Sequence, residues 1–171
     1  MPVKPTPAFR QWFGASKVVD ANGAPLVVYH GTFAVFSAFD IAFSDDFGFH
    51  FGSAAAANAR NDYWMKGRTD EAQPNIMPVY LSIKNPKCLS YDPYDEVEWA
   101  AQIVIASDEG HDGISYTNRV EDKGHTSWVA FKPAQIKSAL SNNGDFDTVN
   151  TDIRFSLADL EEPSSQEAPC P

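Results

Sequence analysis

An apolar run that ends in a histidine, a glycine and a threonine constrains the fold of this chain more than any other stretch. Residues 26–29 read Leu-Val-Val-Tyr and lead directly into His30-Gly31-Thr32. Four or five consecutive apolar residues with β-branched members predict a buried strand. Where this strand ends, the glycine would let the backbone approach a ligand closely, and the histidine could turn inward. The sequence therefore predicts a candidate binding site at the end of this strand.

Alternating apolar patterns and turn residues predict an α+β fold with mostly antiparallel sheets and flanking helices. The Asn-Gly dipeptide at 22–23 is typical of a hairpin whose second arm is the strand at 26–30. Further strands are predicted at 47–52, 78–83, 113–116 and 127–131, with a last strand or turn at 135–139. The α+β class follows because strands outnumber helices and do not alternate with them regularly.

Three helices are predicted from periodicity and capping residues. The first covers residues 9–13, with aromatic side chains on one face, and ends at Gly14. The second covers residues 54–65 behind the N-cap Ser53, and the third covers residues 96–107. The residues of the third helix that we expect to face inward are Val97, Ala100, Ala101, Val104 and Ile105.

The remaining segments read as loops. Residues 33–43 carry four phenylalanines among small and acidic residues, and we expect these rings to anchor a loop in the core. A lid over a ligand is the alternative interpretation of this segment. Residues 88–95 predict a turn-rich link, and residues 118–125 predict a charged loop.

Length and local composition predict one domain. A chain of 171 residues is long enough to bury a single core. Residues 1–8 contain three prolines and predict an extended lead-in, and residues 9–155 predict the domain. Residues 156–171 are rich in Ser, Pro and Glu, which predicts an acidic, disordered tail.

The formal net charge of −10 argues against broad binding to a nucleic-acid backbone, although a local basic groove is not excluded. The two cysteines, Cys88 and Cys170, form neither a metal-binding pattern nor a disulfide framework. We therefore expect no metal centre and a reduced, cytoplasmic setting. No apolar stretch is long enough to span a membrane, so no membrane partner is expected.

Three side chains at the ends of predicted strands could support cleavage of an N-glycosidic bond. They are His30, His50 and Glu121. This reaction requires that the sugar is held, the leaving base is oriented, and negative charge stabilises the developing cation. A histidine can bind ribose hydroxyls, a glycine backbone can pair with a carboxamide, and a carboxylate can stabilise the cation.

The motifs in this chain resemble those of the His-Tyr-Glu class of ADP-ribosyltransferases, which includes diphtheria toxin and the poly(ADP-ribose) polymerases. Tyr29-His30-Gly31-Thr32 is similar to the Tyr-His-Gly-Ser/Thr element of that class, and residues 48–51 resemble the strand that carries its tyrosine. The wider pattern resembles the ADP-ribosyltransferase domains of phage and mobile-element polyvalent proteins. The further matching segments are 16–20, 79–81, 112–114, 131–138 and 152–156.

This resemblance implies a split-sheet fold that binds NAD. It implies that His30 contacts the adenine-side ribose and that Gly31 binds the nicotinamide amide, with Thr32 beside it. The helix behind Ser53 would flank the pocket. Tyr63, or the neighbouring tryptophan, could supply a second face on which the nicotinamide ring stacks.

Two positions depart from the family pattern. His50 stands where the family has tyrosine, and we expect it to be neutral if it stacks on the cationic nicotinamide. Ser127 stands where the polymerases have their glutamate. We expect Glu121, or alternatively Asp122, to supply the carboxylate from the preceding loop. The candidate catalytic residues are therefore Glu121, His30 and Ser127, and His50 and Ser53 join the candidate NAD-binding residues.

The expected function is NAD-dependent mono-ADP-ribosylation of a macromolecular acceptor. The resemblance to phage proteins favours a protein of the host as that acceptor. A catalytically inactive module that binds a nucleotide or a protein, such as an inhibitor of a host defence complex, is one alternative. An NAD glycohydrolase, which would release nicotinamide without labelling an acceptor, is another.

Overall fold

The computed structural model describes residues 6–93, 95–142, 146, 147 and 149–154. The predicted tail at 156–171 and most of the predicted lead-in therefore lie outside the described residues. In chain order, the strands are β1 (Val28–Thr32), β2 (Phe49–Phe51), β3 (Asn75–Leu81), β4 (Pro86–Leu89), β5 (Gly113–Thr117), β6 (Thr126–Ala130) and β7 (Ile136–Ser138). The helices are α1 (Pro7–Phe13), α2 (Ala54–Met65) and α3 (Glu96–Asp108).

The strands form two sheets, which confirms the α+β class. The first sheet has the order β1-β3-β7 and is antiparallel throughout. The second has the order β2-β6-β5-β4, and only its β4–β5 pair is parallel. A single bridge joins β1 to the residue after β2: Tyr29 N–H donates to Gly52 O at 2.8 Å, and Gly52 N–H donates to Tyr29 O at 3.0 Å. The two sheets part at this bridge.

A continuous apolar core lies between the two sheets, and helices cover their outer faces. The inter-sheet core takes residues from both sheets and from the loops, including Val28, Phe39, Phe51, Val79, Leu81, Trp128 and Ile136. Phe9, Trp12 and Phe13 of α1 pack on Tyr80 at the outer face of the first sheet. Ile103 and Ala106 of α3 pack on Ile114 and Val129 at the outer face of the second.

Capping residues define where the helices begin and end. The Thr6 hydroxyl accepts the Phe9 N–H at 3.1 Å, and α1 begins at Pro7, inside the segment predicted to be extended. The predicted helix stop at Gly14 is confirmed, and its φ of 52° is one that glycine tolerates readily. α2 has the predicted bounds, with Ser53 as its N-cap. In the described part of the chain, no helix has the length and apolarity that crossing a membrane requires.

The residues at 150–153, which follow β7 and form the closing segment, connect the loop before β2 to the first sheet. Ile153 N–H donates to Ser37 O at 2.8 Å, and Ser138 N–H donates to Ile153 O at 3.0 Å. The buried Lys137 ammonium of β7 donates to the carbonyl oxygens of Asn150 at 2.6 Å and Asp152 at 3.0 Å. The loop that precedes β2 is therefore held through the closing segment.

The predicted inward face of α3 was wrong. Val97, Val104 and Ile105 are 79%, 51% and 44% exposed, whereas Ile103 and Ala106 are buried. Apolar residues occur on both sides of this helix, so its periodicity did not identify the packed face. Helix α3 covers only one face of the second sheet, and the side that meets this sheet is the one carrying Ile103 and Ala106.

Three further predictions were wrong in part. The link predicted at 88–95 begins with strand residues, because Pro86 opens the edge strand β4, where a proline is tolerated. The hairpin turn forms, with Asp20 N–H bonded to Ala24 O at 2.8 Å, but its first arm contributes only a bridge at Val19. Among the four phenylalanines expected in the core, Phe43 is 89% exposed.

Candidate active site

A crevice of about 330 Å³ opens where β1 and β2 part, between α2 and α3. It brings together five of the residues predicted from the sequence, which come from three separate parts of the chain. These are His30, Gly31, His50, Glu121 and Ser127. The two motifs that the sequence analysis singled out therefore share one crevice.

His30 is fixed within the crevice wall by one hydrogen bond and by aromatic packing. Its Nδ1–H donates to the carbonyl oxygen of His50 at 2.9 Å. Its ring lies against Phe39 and Phe51, with centroid distances of 5.1 and 5.6 Å. Burial lowers the pKa of His30, and the hydrogen bond to His50 only partly offsets this effect. The ring is thus neutral near pH 7, with Nε2 as its acceptor.

The backbone of Gly31 points into the crevice. Hydrogen-bonded and non-bonded pairs alternate along an antiparallel ladder, and the N–H and C=O of Tyr29 face Gly52. Gly31 is two residues further along β1, so its N–H and C=O face the same way, beyond the point where the strands separate. A Cβ at Gly31 would lie 2.5 Å from Ala57 O of α2. Close packing of α2 therefore also requires glycine here.

His50 is held between an acid and an aromatic ring. Its side chain lies on the opposite side of β2 from the buried Phe49 and Phe51. The Nε2–H of His50 donates to Asp46 Oδ2 at 2.7 Å, and its ring meets Trp99 edge to face at 4.8 Å. Both interactions restrict the orientation of the imidazole.

Asp46 is ionised despite being buried. Burial acts to raise the pKa of Asp46, but the hydrogen bond and charge of His50 and the hydrogen bonds from Gly48 N–H and Ser44 together hold it below its usual value. The carboxylate is therefore a stable acceptor for His50 near neutral pH. Sequence reasoning missed this pairing, since an acid four residues before a strand histidine is no recognisable signal.

The loop after β5 presents Glu121 to the crevice. Its Oε2 accepts a hydrogen bond from Asn118 Nδ2 at 3.0 Å, and its Oε1 lies 3.6 Å from an Arg60 guanidinium nitrogen. The Glu121 side chain is 25% exposed, so the carboxylate borders the crevice and remains accessible. Of the two acids that the sequence suggested as the catalytic carboxylate, Glu121 is the one that lines the crevice.

Asp122 points away and is occupied by other partners. Its Oδ2 accepts a hydrogen bond from the Ser53 hydroxyl, and its Oδ1 lies 3.0 Å from Nδ1 of His125. Ser53 also accepts the N–H of Ala56 at 3.1 Å as the N-cap of α2. The predicted NAD-binding residue Ser53 therefore serves to join α2 to the loop that carries Glu121.

Ser127, at the position of the family glutamate, is part of a buried polar network. Its hydroxyl accepts a hydrogen bond from Asn118 Nδ2 at 3.1 Å and also bonds to Tyr116. Burial raises the pKa of Tyr116, with the nearby charge of Glu121 adding to the effect, so this phenol stays protonated. Ser127 is 2% exposed, and its hydroxyl lies close to Gly52. A short side chain therefore occupies position 127, where the backbone of Gly52 packs closely against it.

Besides Ser53, two predicted site residues lie outside the crevice lining. Thr32 ends β1, and its hydroxyl accepts the N–H of Ala34 at 3.1 Å. Tyr63 lies near the end of α2, is 64% exposed, and packs edge to face on Trp64. Their expected contacts with NAD are therefore not supported by their positions. Trp99 of α3, which packs against the core residues of the second sheet, also lines the crevice.

The crevice is strongly acidic. Arg60 is the single arginine or lysine among its described lining residues. The carboxylates that line it are Asp45, Asp46, Asp92, Asp95, Glu96 and Glu121. Arg60 had no signal in the sequence beyond its position on α2, four residues after Ala56 and therefore on the same helix face.

Comparison with known proteins gives one match. A family model described as ADP-ribosyltransferase in polyvalent proteins matches residues 20–146, which include β1 to β7 and every crevice residue named above. Neither a curated protein nor a solved structure matches the chain significantly.

Proposed function

Because the chain belongs to the ADP-ribosyltransferases of polyvalent proteins, we propose that it uses NAD to attach single ADP-ribose units to a macromolecular acceptor. The observation that carries this proposal is the convergence of His30, the Gly31 backbone and Glu121 on one crevice. These groups supply a ribose ligand, a carboxamide ligand and a negative charge.

The Gly31 backbone is suited to recognise nicotinamide. It directs one N–H donor and one C=O acceptor into the crevice. A primary carboxamide offers the complementary acceptor and donor, so two hydrogen bonds could orient the leaving group. Trp99 and His50, which meet at the crevice wall, would provide aromatic surface for the ring.

Glu121 would act on the reacting sugar. Cleavage of the bond between nicotinamide and ribose develops positive charge on the sugar carbon, and an adjacent carboxylate stabilises that charge. The second oxygen of Glu121 could hold a ribose hydroxyl. His30, with Nδ1 bonded to His50, would accept a hydrogen bond from the other ribose through Nε2.

Arg60 is the cation of the crevice that would bind the pyrophosphate of NAD. The guanidinium is half exposed and lies 3.6 Å from Glu121, so it is near the reacting groups and open to solvent. Its positive charge would offset part of the repulsion between the acidic lining and the two phosphates.

Incubation of the protein with NAD labelled in the adenylate half, in the presence of a host lysate, tests the proposal. We expect release of nicotinamide together with label on a discrete acceptor. If nicotinamide is not released, the proposal is wrong, whether or not NAD raises the thermal unfolding temperature. The acceptor expected for a phage-encoded enzyme is a protein of the host cytoplasm.

Two other functions remain as alternatives. Ser127 in place of the family glutamate favours a module that binds a nucleotide or a protein without catalysis. Such a module would retain a stoichiometric partner in a pull-down, and His30→Ala would not disturb it. An NAD glycohydrolase would instead release nicotinamide in the assay above and leave every macromolecule unlabelled.

A further inference from the structure

Asn118, directly after β5, is a fully buried polar residue with all its side-chain hydrogen-bonding atoms engaged. Its Oδ1 accepts three backbone N–H groups, from Val120 at 3.0 Å, Glu121 at 2.8 Å and Asp122 at 3.1 Å. Its Nδ2 donates to Glu121 Oε2 at 3.0 Å and to Ser127 Oγ at 3.1 Å. One side chain thus shapes the loop and also touches the carboxylate that the loop carries.

The two sets of bonds have different consequences. The Oδ1 bonds fold the loop into a turn, which an aspartate or a serine at this position could also support. The Nδ2 bond fixes the direction of the Glu121 side chain, and only an amide supplies both an acceptor and a donor at this length. An asparagine that served the turn alone would have no need to donate to Glu121.

We propose that Asn118 is a positioning residue that holds the Glu121 carboxylate in the crevice by donating a hydrogen bond from its amide. The inference rests on the proposed ADP-ribosyl transfer, in which Glu121 stabilises the developing positive charge. Asn118 makes no contact with substrate in this scheme. It acts through Glu121 and, by bonding Ser127, ties the loop to β6.

The charged and titratable groups around Glu121 determine how strongly a new charge at position 118 would act on this carboxylate. Arg60 faces Glu121 from α2, and Tyr116 faces it from β5. Asp92, from the link before α3, lies within electrostatic range of the same tyrosine. A second carboxylate at position 118 would therefore place a like charge beside Glu121, which Arg60 at 3.6 Å would offset only in part.

The variant Asn118→Asp isolates the amide donor. It keeps the acceptor for the three backbone N–H groups but replaces the donor with a negative charge about 3 Å from Glu121. We expect kcat for nicotinamide release at pH 7 to fall about ten- to a hundredfold, with KM changed less than about threefold. The acid limb of the pH profile should move to higher pH by about one unit.

The variant Asn118→Ser tests the same point without added charge. Serine retains a short acceptor for the turn and cannot reach Glu121 with a donor. We expect a similar loss in kcat and an unshifted acid limb. Asn22→Asp, at an exposed turn position, controls for the change in net charge and should behave like the unmodified protein.

The outcomes separate this inference from the proposed function. If the unmodified protein releases no nicotinamide, the proposed function fails, and the inference fails with it. If it is active and either folded variant retains its kcat, the inference alone is overturned. If Asn118→Asp melts too early to assay, Asn118→Ser decides. A purely structural role would lower the unfolding temperature and the active fraction of both variants, leave kcat per folded molecule unchanged, and leave the acid limb of Asn118→Asp in place.

Discussion

The imidazole of His30 donates a hydrogen bond to the backbone carbonyl of His50. In a continuous ladder between β1 and β2, the N–H of Gly31 would bond to that carbonyl instead. Tyr29 and Gly52 form a bonded pair, so the next pair between these antiparallel strands would join Gly31 to His50. His30 Nδ1 instead lies 2.9 Å from that carbonyl oxygen. The His30 side chain therefore provides the hydrogen bond that the His50 carbonyl needs at the edge of β2, and the Gly31 N–H stays available to a ligand.

The burial of this imidazole makes folding stability depend on pH. Burial lowers the pKa of His30 below its ordinary value of 6.5 in the folded state, so below that pH the unfolded chain binds a proton that the folded chain does not. Stability should therefore decrease as the pH falls from 6.5 to 5, by up to about 1.4 kcal/mol per unit. The measurement is urea unfolding across this range.

His30→Phe identifies the group responsible. A phenyl ring preserves packing against Phe39 and Phe51 but cannot titrate or donate to His50. We expect a loss of about 1–3 kcal/mol at pH 7.5, since the partly buried His50 carbonyl loses its donor, and a shallower decline towards pH 5. His125→Phe, at an exposed position, should leave both the stability and its slope unchanged. Equal slopes for His30→Phe and the unmodified protein would contradict this account.

The two neighbouring acids of the loop should differ in function. Glu121→Gln keeps an acceptor for Asn118 but removes the charge, and we expect kcat for nicotinamide release to fall about a hundred- to a thousandfold. Asp122→Asn keeps an acceptor for Ser53 outside the crevice, and its kcat should stay within about threefold. Steady-state kinetics at fixed pH compares them. A larger loss in Asp122→Asn than in Glu121→Gln would reverse the assignment.

Gly31 should not tolerate a methyl group. Its Cβ would lie 2.5 Å from Ala57 O and 2.9 Å from Asn61 Oδ1, so the helix or the strand must move. We expect Gly31→Ala to cost about 1–3 kcal/mol in urea unfolding. Gly67→Ala is the matched control, because nothing lies within 4 Å of that Cβ, and it should be neutral or slightly stabilising. Equal unfolding midpoints would show that α2 adjusts freely.

Adjacent residues of α3 should differ sharply in their contribution to stability. Ile103 packs between α3 and the second sheet and is 4% exposed, whereas Val104 is 51% exposed. We expect Ile103→Ala to lower the free energy of unfolding by about 2–4 kcal/mol. Val104→Ala should change it by no more than about 0.5 kcal/mol. A larger loss in Val104→Ala than in Ile103→Ala would mean that α3 packs through the face predicted from the sequence.

Local chemistry made much of the fold predictable from the sequence. Ser53 before an alanine-rich run defined α2, and Gly14 marked the end of α1. The orientation of α3 was not predictable, because its two faces are similarly apolar and only the position of the second sheet distinguishes them. β4 was missed because a four-residue edge strand that opens with Pro86 resembles a turn.

The candidate site was predictable where a motif carried it and not where tertiary contacts built it. His30, Gly31 and His50 stood at strand ends in recognisable patterns, and the crevice contains all three. Asn118 and Arg60 acquire their roles from contacts with Glu121, which no local pattern encodes. The sequence suggested that Gly31 serves ligand approach, but the packing of α2 requires it as well.

The hydrogen bonds of the buried Lys137 ammonium extend the folding unit beyond the residues that match the family model. The family match stops at residue 146, yet this cation relies on the carbonyls of Asn150 and Asp152. A protein trimmed to the matched residues would lose both acceptors of that ammonium, and it would also lose α1 from the outside of Tyr80. Expression boundaries drawn from sequence similarity alone would remove parts of the molecule that keep it folded.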